Sequence, residues 1–469
     1  MAQLNQAHAG DTAAAVRASE DHAVNEVPES ERSSMLNITL VRMGFTVSAT
    51  DLLFGMSLGL YFDFWTALVV ALVSSVLVSV VSITCGLIGY REGLTTALIT
   101  RLTFGREGSR IPALVIALVS IGFVGYSTGI TANVLPGDSP GLVLFYCVAL
   151  SAIYTLVCSI GFERGLTWVG RISVPLMLVA VLVAVVAALD HAGGFGAILD
   201  AEPAQPGELG FLAMVALGTA KWMTGATVTP DITRFAKTSK AVYVTTLAEF
   251  MVGNFGFNLL GIILGLAVGV DELGGAFTAV GVGALATIAI FVQGFPHEIN
   301  NLYAGSLAGR SALNVPRLFI NLGGGVIAAA LAYYGVSQGI LESFLEYLGW
   351  LAYAIPLIPG IMIADYFVVR RGRYRRRVAD AEAVNWRAVL AFWIGLGVNL
   401  VLGLALDDTL WRSLPLIGFG LYLLFSARQL AQAWSPRADA AETPRFSRNG
   451  AAEPRDLTVA ERPGIGRDA

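Results

Sequence analysis

GTAKWMTGATVTP, residues 218–230, sets Lys221 and Trp222 among glycines, in a run that is otherwise apolar back to Phe211. A lysine at that depth of a membrane-spanning segment is costly unless it is paired or hydrated, so it marks a candidate site. Five apolar runs earlier stands a segment of the same kind, GFTVSATDLLFG (44–55), with Asp51 among Gly44, Ser48, Thr50 and Gly55. Glycine and proline weaken helices, and irregular backbone at membrane depth survives only where it lines a cavity or is buried in protein. Two broken, charge-bearing segments five spans apart predict a five-plus-five inverted repeat, in which the discontinuous first helix of each half contributes to a central site. The plainer alternative is that these glycines let helices pack closely.

The rest of the chain agrees with a membrane reading. Of 469 residues, 55% are hydrophobic and 14% charged, well below the quarter or so charged in soluble domains. Twelve apolar spans of bilayer-crossing length, about 20 residues, run over 38–60, 64–89, 111–133, 141–161, 166–189, 210–230, 240–269, 275–299, 311–333, 340–369, 387–406 and 411–431. The predicted fold is therefore all-α integral membrane, with residues 37–432 as the transmembrane domain and polar tails, 1–36 and 433–469, too poor in apolar residues to fold. Basic residues test the count, since cytoplasmic loops hold Lys and Arg. Arg91, Arg101, Arg106 and Arg110 follow span 2; Arg164 and Arg171 lie around the turn after span 4. Arg234, Lys237 and Lys240 follow span 6, Arg310 and Arg317 follow span 8, and Arg370, Arg371, Arg373 and Arg375–Arg377 follow span 10. The intervening connections carry Asp138, Asp190, Asp200, Glu202, Asp271 and Asp407, with Arg412 the exception. This places both termini in the cytoplasm of a cell carrying the protein in its plasma or inner membrane. Cys85, Cys147 and Cys158 fall inside apolar runs without metal spacing and read as small fillers. The Arg370–Arg377 run reads as a topology determinant, with anionic lipid as a secondary partner.

Ionisable residues inside spans are the functional candidates. If spans 1 and 6 cross, Asp51 and Lys221 can form a buried ion pair, which a proton could switch; a static pair is the alternative. His297 and Glu298 follow the breaker pair Gly294 and Pro296 in span 8, and Glu249 lies in span 7, where a structural bond to a neighbouring helix is the better reading. Phe123, within SIGFVGY (120–126), and Trp222 offer flat faces to a planar ligand. As a reactive pair for an integral-membrane enzyme, His297 and Glu298 are poorly placed, since adjacent helical residues point about 100° apart. Nothing suggests nucleic acid.

Four motifs carry a resemblance. REGLTTALITRLTFGREGSRIPAL (91–114), PDITRFAK (230–237), INNLYAGSL (299–307) and AIPLIPGIMIADYF (354–367) lie in order along the chain. Together they resemble the nucleobase-cation symporter family, purine/cytosine permease branch. The resemblance implies five-plus-five architecture with two extra helices, alternating access, and import of a small planar nitrogenous heterocycle such as a nucleobase, hydantoin or allantoin with a cation. It implies substrate stacking on Phe123 and Trp222, and puts Ser120 where cytosine carriers have an amide side chain. Relatives hold sodium with paired hydroxyls on helix 8 and carbonyls of helix 1. Here those positions read Pro296 and His297, with Gln293 three residues before Pro296. Proline offers no side-chain oxygen and imidazole a nitrogen, so no metal is assigned. The expected substrate contacts are Ser120, Phe123, Lys221, Trp222, Thr224, Gln293 and Glu298; the expected coupling residues are Asp51, Lys221 and His297. The expected co-transported ion is a proton, with a sodium-coupled cytosine/purine symporter as the alternative; no resident cofactor is implied.

Overall fold

The computed structural model describes residues 26–137, 139–160, 163–374, 378–405 and 410–433. The two tails over 1–25 and 434–469, Asp138, Asp407 and Arg375–Arg377 lie outside the described residues, as do the side chains of Arg164 and Arg171. The chain is built almost wholly of helices, and nine among the described residues are long and apolar enough to cross a membrane. These are Phe64–Glu92, Arg110–Val134, Pro140–Ile160, Ile172–Ala192, Phe211–Thr233, Ser239–Val268, Arg317–Gln338, Ile340–Val369 and Trp386–Ala405, matching spans 2 to 7 and 9 to 11. The other three expected spans are built differently. Span 1 is two half-helices, Met35–Thr46 and Ala49–Tyr61. Span 8 is one long helix, Gly283–Leu313, made less apolar by Gln293, His297, Glu298, Asn300 and Asn301. Span 12 contains the shorter helix Leu416–Phe425.

Local chemistry sets several boundaries. Asp63 opens span 2 by accepting the backbone N–H groups of Trp65 and Thr66, both at 3.1 Å, which satisfies donors that a helix start leaves free. Gly93 closes the same helix in the left-handed region at φ 66°. Span 7 widens into a π-helical turn over Ala248–Asn254, a distortion frequent near functional sites.

The packing of the spans obeys an exchange of the two halves. Span 1 lies on span 7 as span 6 lies on span 2; span 3 lies on span 9 as span 8 lies on span 4; span 8 lies on span 5 as span 3 lies on span 10. Spans 3 and 8, equivalent under that exchange, pack on each other. This is the five-plus-five inverted repeat. At the span 1–span 7 seam, Gly55 and Gly59 face Gly261 and Gly265. A methyl group at Gly55 would lie 2.7 Å from Asn258 Cα, and one at Gly261 2.7 Å from Met56 N. The two small-xxx-small stripes thus let the backbones touch, and Gly55 serves packing rather than a break.

Two expectations are corrected. Span 6 runs unbroken through Gly218, Lys221, Thr224 and Gly225; its interruption falls at Thr229, ahead of Pro230. Glycines surrounded by packed helices lose little in a helix, whereas proline withholds a backbone donor. The tail expected over 1–36 is already ordered from residue 26: Val27 is buried and bonds Gly93 O at 3.1 Å, and Ser33 N bonds Phe235 O at 2.8 Å. Arg412, the exception in the charge pattern, turns inward and sets its guanidinium 4.7 Å over the Tyr353 ring.

Candidate functional site

The site begins where span 1 breaks. Val47 leaves helical geometry at φ −85°, ψ 80°, so its carbonyl loses the partner a continuous helix would supply. Span 8 restores one: Gln293 Nε2 donates to Val47 O at 2.7 Å. Ser48 restarts the helix as its N-cap, accepting from Asp51 N at 3.2 Å and donating to Asp51 Oδ2 at 2.8 Å. The cap therefore aims the Asp51 carboxylate across to span 6. There Lys221 Nζ meets Asp51 Oδ1 at 2.7 Å, and Trp222 Nε1 donates to the same oxygen at 2.9 Å. Both charged side chains are buried, at 0% and 2% exposure, so the pair is shielded from water and neither charge is tolerable alone. Lys221 also donates to Asn258 Oδ1 at 3.0 Å and sits 4.4 Å over the Phe54 ring, a cation–π contact. From Asn258 the polar chain continues to Asn254 and Ser75 on span 2. The Trp222 ring lies edge-on to Phe250 at 5.8 Å and across Gly225, where a methyl group would meet it at 2.9 Å.

A second buried ion pair, Arg42 with Glu249, joins the first half-helix of span 1 to the π-helical turn of span 7. Arg42 also donates to Ser82 Oγ at 3.1 Å, and Ser82 bonds Thr229 at 2.7 Å. Spans 1, 2, 6 and 7 are thereby tied at a second level. Glu249 fills the structural role expected of it, with Arg42 as a partner that the sequence reading had not singled out.

Residues 26–418 match the protein family described as "Permease for cytosine/purines, uracil, thiamine, allantoin". The chain belongs to this permease family. Cytosine permease of Escherichia coli O157:H7 is 28% identical over 395 residues, covering 81% of this chain and 91% of that one. Allantoin permease of Bacillus subtilis (strain 168) is 26% identical over 433 residues, covering 77% and 83%. A solved nucleobase-cation-symport-1 family transporter, in a closed conformation with bromovinylhydantoin bound, superposes with a TM-score of 0.68 at 19% identity, covering 88% and 96%. It shares the fold. The four motifs of the sequence reading all lie inside the matched region, and the protein is a multi-pass membrane transporter rather than an enzyme.

In this permease the expected site residues divide. Asp51, Lys221, Trp222 and Gln293 converge on the break of span 1, and His297 feels the Asp51 charge. Glu298, its chain neighbour, looks the other way, towards Ser127 of span 3 and Tyr154 of span 4. Phe123 sets its ring edge-on to Tyr347 of span 10 at 5.4 Å, and Tyr347 stacks on Tyr126 at 4.7 Å. Ser120 faces Gly305, where a methyl group would lie 3.0 Å from Ser120 Cβ. The Thr224 hydroxyl is buried without a hydrogen-bond partner. The motif reading missed Asn258, which lies several helical turns from any motif and reaches Lys221 only through the packing of span 7.

Proposed function

We propose that this permease imports a small planar nitrogen heterocycle of the nucleobase, hydantoin or allantoin class, coupled to a proton. It does so across the plasma or inner membrane with both termini cytoplasmic. The observation that carries the reading is the Lys221 ammonium held on Asp51 beside the break of span 1. A fixed positive charge stands there where the family resemblance expects a bound cation. The donor set argues against sodium in that place. Pro296 offers no side-chain oxygen, and the Val47 carbonyl already accepts from the Gln293 amide; sodium, a hard cation, requires several free oxygens.

The same geometry links ligand to ion. Trp222 presents an aromatic face for a planar ring while its indole N–H holds Asp51, so a stacked substrate and the Asp51–Lys221 pair share one side chain. Movement of span 6 against span 1 lengthens the pair and changes the affinity of both groups for a proton. Alternating access then binds the proton on one side and frees it on the other, with His297 as the nearby group able to exchange it. Cytosine, allantoin and hydantoin permeases among the relatives support the substrate class.

Ligand-dependent thermal unfolding tests the substrate class, because a ligand that binds only the folded state raises its stability. Nucleobases, hydantoins and allantoin are compared on purified protein. At least one should raise the melting temperature, and Trp222→Ala should abolish that rise. A panel without a stabilising member, or a rise untouched by Trp222→Ala, overturns the reading.

A further inference from the structure

Span 8 carries a buried acid that the Asp51–Lys221 site does not use. Glu298 is completely buried, and the side chains that bear on its carboxyl by hydrogen bonding, Ser127 and Asn301, are neutral and not in close geometry. Its surroundings are oxygen-rich and uncharged. Ser127 belongs to span 3 and Asn301 lies one turn on in the same helix. Tyr154 of span 4 is the titratable group that faces Glu298, and the Tyr154 hydroxyl is buried and unpartnered. That hydroxyl lies against Gly294, where a methyl group would be 2.8 Å from Tyr154 Oη and 3.6 Å from Thr131 Oγ1. Gly294 and Glu298 are four residues apart on one face of span 8, and Ser127 and Thr131 are four apart on span 3. One small polar chamber between spans 3, 4 and 8 therefore holds the carboxyl, the phenol and two hydroxyls.

Among the described residues, none of the ion pairs found includes Glu298. A carboxylate in such a place is far more costly than a neutral acid, which can both donate and accept hydrogen bonds.

We propose that Glu298 is a second proton-binding site of the permease, holding its proton among Tyr154, Ser127 and Asn301, separate from Asp51 and Lys221. As a deepening of the proton-coupled reading, this gives span 8 two adjacent residues facing two sites, His297 towards Asp51 and Glu298 towards Tyr154.

Infrared spectroscopy of the purified full-length protein tests it, through the carbonyl stretch that distinguishes a neutral carboxylic acid from a carboxylate. At neutral pH the wild type should show a neutral-acid band that shifts in heavy water and is lost in Glu298→Gln. Tyr154→Phe keeps the acid but removes its neighbour, so it should move that band; this variant carries the test if Glu298→Gln does not fold. Absence of a Glu298-dependent band overturns the proposal, as does a band unmoved in Tyr154→Phe. Loss of the band on adding sodium chloride, but not choline chloride, overturns it in favour of a metal-ion site. The band reports the proton on Glu298 whether or not uptake follows a proton gradient, so failure here is separable from failure of the coupling mechanism.

Discussion

Replacing Lys221 with methionine keeps the bulk of the side chain and removes its charge, leaving the Asp51 carboxylate buried at 0% exposure. Losing one partner of a buried pair costs about 3–5 kcal/mol. Asp51 would retain hydrogen bonds from Ser48 Oγ at 2.8 Å and Trp222 Nε1 at 2.9 Å, so the lower end, about 3 kcal/mol, is expected. That is roughly a hundredfold in the unfolding equilibrium. Asp51→Asn leaves Lys221 with Asn258 and the Phe54 face and should cost a similar amount. The double variant removes both charges, and exchanging a buried pair for neutral groups is often close to neutral. The two single costs should therefore fail to add by at least about 2 kcal/mol. Equilibrium unfolding of the four proteins in mixed micelles measures this cycle. Single variants within about 0.5 kcal/mol of wild type, or a double variant as unstable as the sum of the singles, would refute the claim that the two charges depend on each other.

Gln293→Ala strands the Val47 carbonyl and should destabilise the protein by about 1–3 kcal/mol, read in the same micelle titration; an unchanged midpoint would show that the break needs no partner from span 8. Gly55→Ala drives a methyl group to 2.7 Å from Asn258 Cα, and overpacking of this kind costs about 1–3 kcal/mol, visible as a lower melting temperature. Asp63→Ala removes the cap of span 2 at a cost of about 1 kcal/mol. The Thr66 side chain and the backbone N–H groups of Thr66 and Trp65 hold the Asp63 carboxyl below the usual carboxylate range. A carboxyl lowered on folding contributes stability above its unfolded pKa, about 3.9, and loses it as pH falls through the folded value. The difference between wild type and Asp63→Ala should therefore be full at pH 7 and shrink below about pH 4; a gap independent of pH would assign the cost to something other than the ionised cap.

The sequence made some of this legible because membrane proteins expose their logic in hydropathy. A lysine inside span 6 and an aspartate inside span 1 stand out against apolar surroundings, and the pairing of Asp51 with Lys221 followed from the repeat. Other features leave no such mark. Arg42 sits near the start of span 1 and was not singled out; only the fold buries it against Glu249. Asp365 lies within the AIPLIPGIMIADYF motif, yet its burial between Arg370 at 2.8 Å and Tyr422 at 2.6 Å depends on contacts made along the chain by spans 10 and 12. The glycines of span 6 misled because composition cannot tell a weakened helix from a closely packed one; Gly225 makes room for the Trp222 ring. Facing also escaped the one-dimensional reading: Glu298, grouped with the substrate contacts, has Ser127 of span 3 and Tyr154 of span 4 for neighbours.

Uptake of a heterocycle that stabilises the purified protein, measured in proteoliposomes under imposed proton or sodium gradients, bears most directly on the role given to Asp51 and Lys221. The account predicts accumulation driven by an inward proton gradient without sodium, and loss of that accumulation in Lys221→Ala. Accumulation that follows the sodium gradient and ignores pH would contradict it.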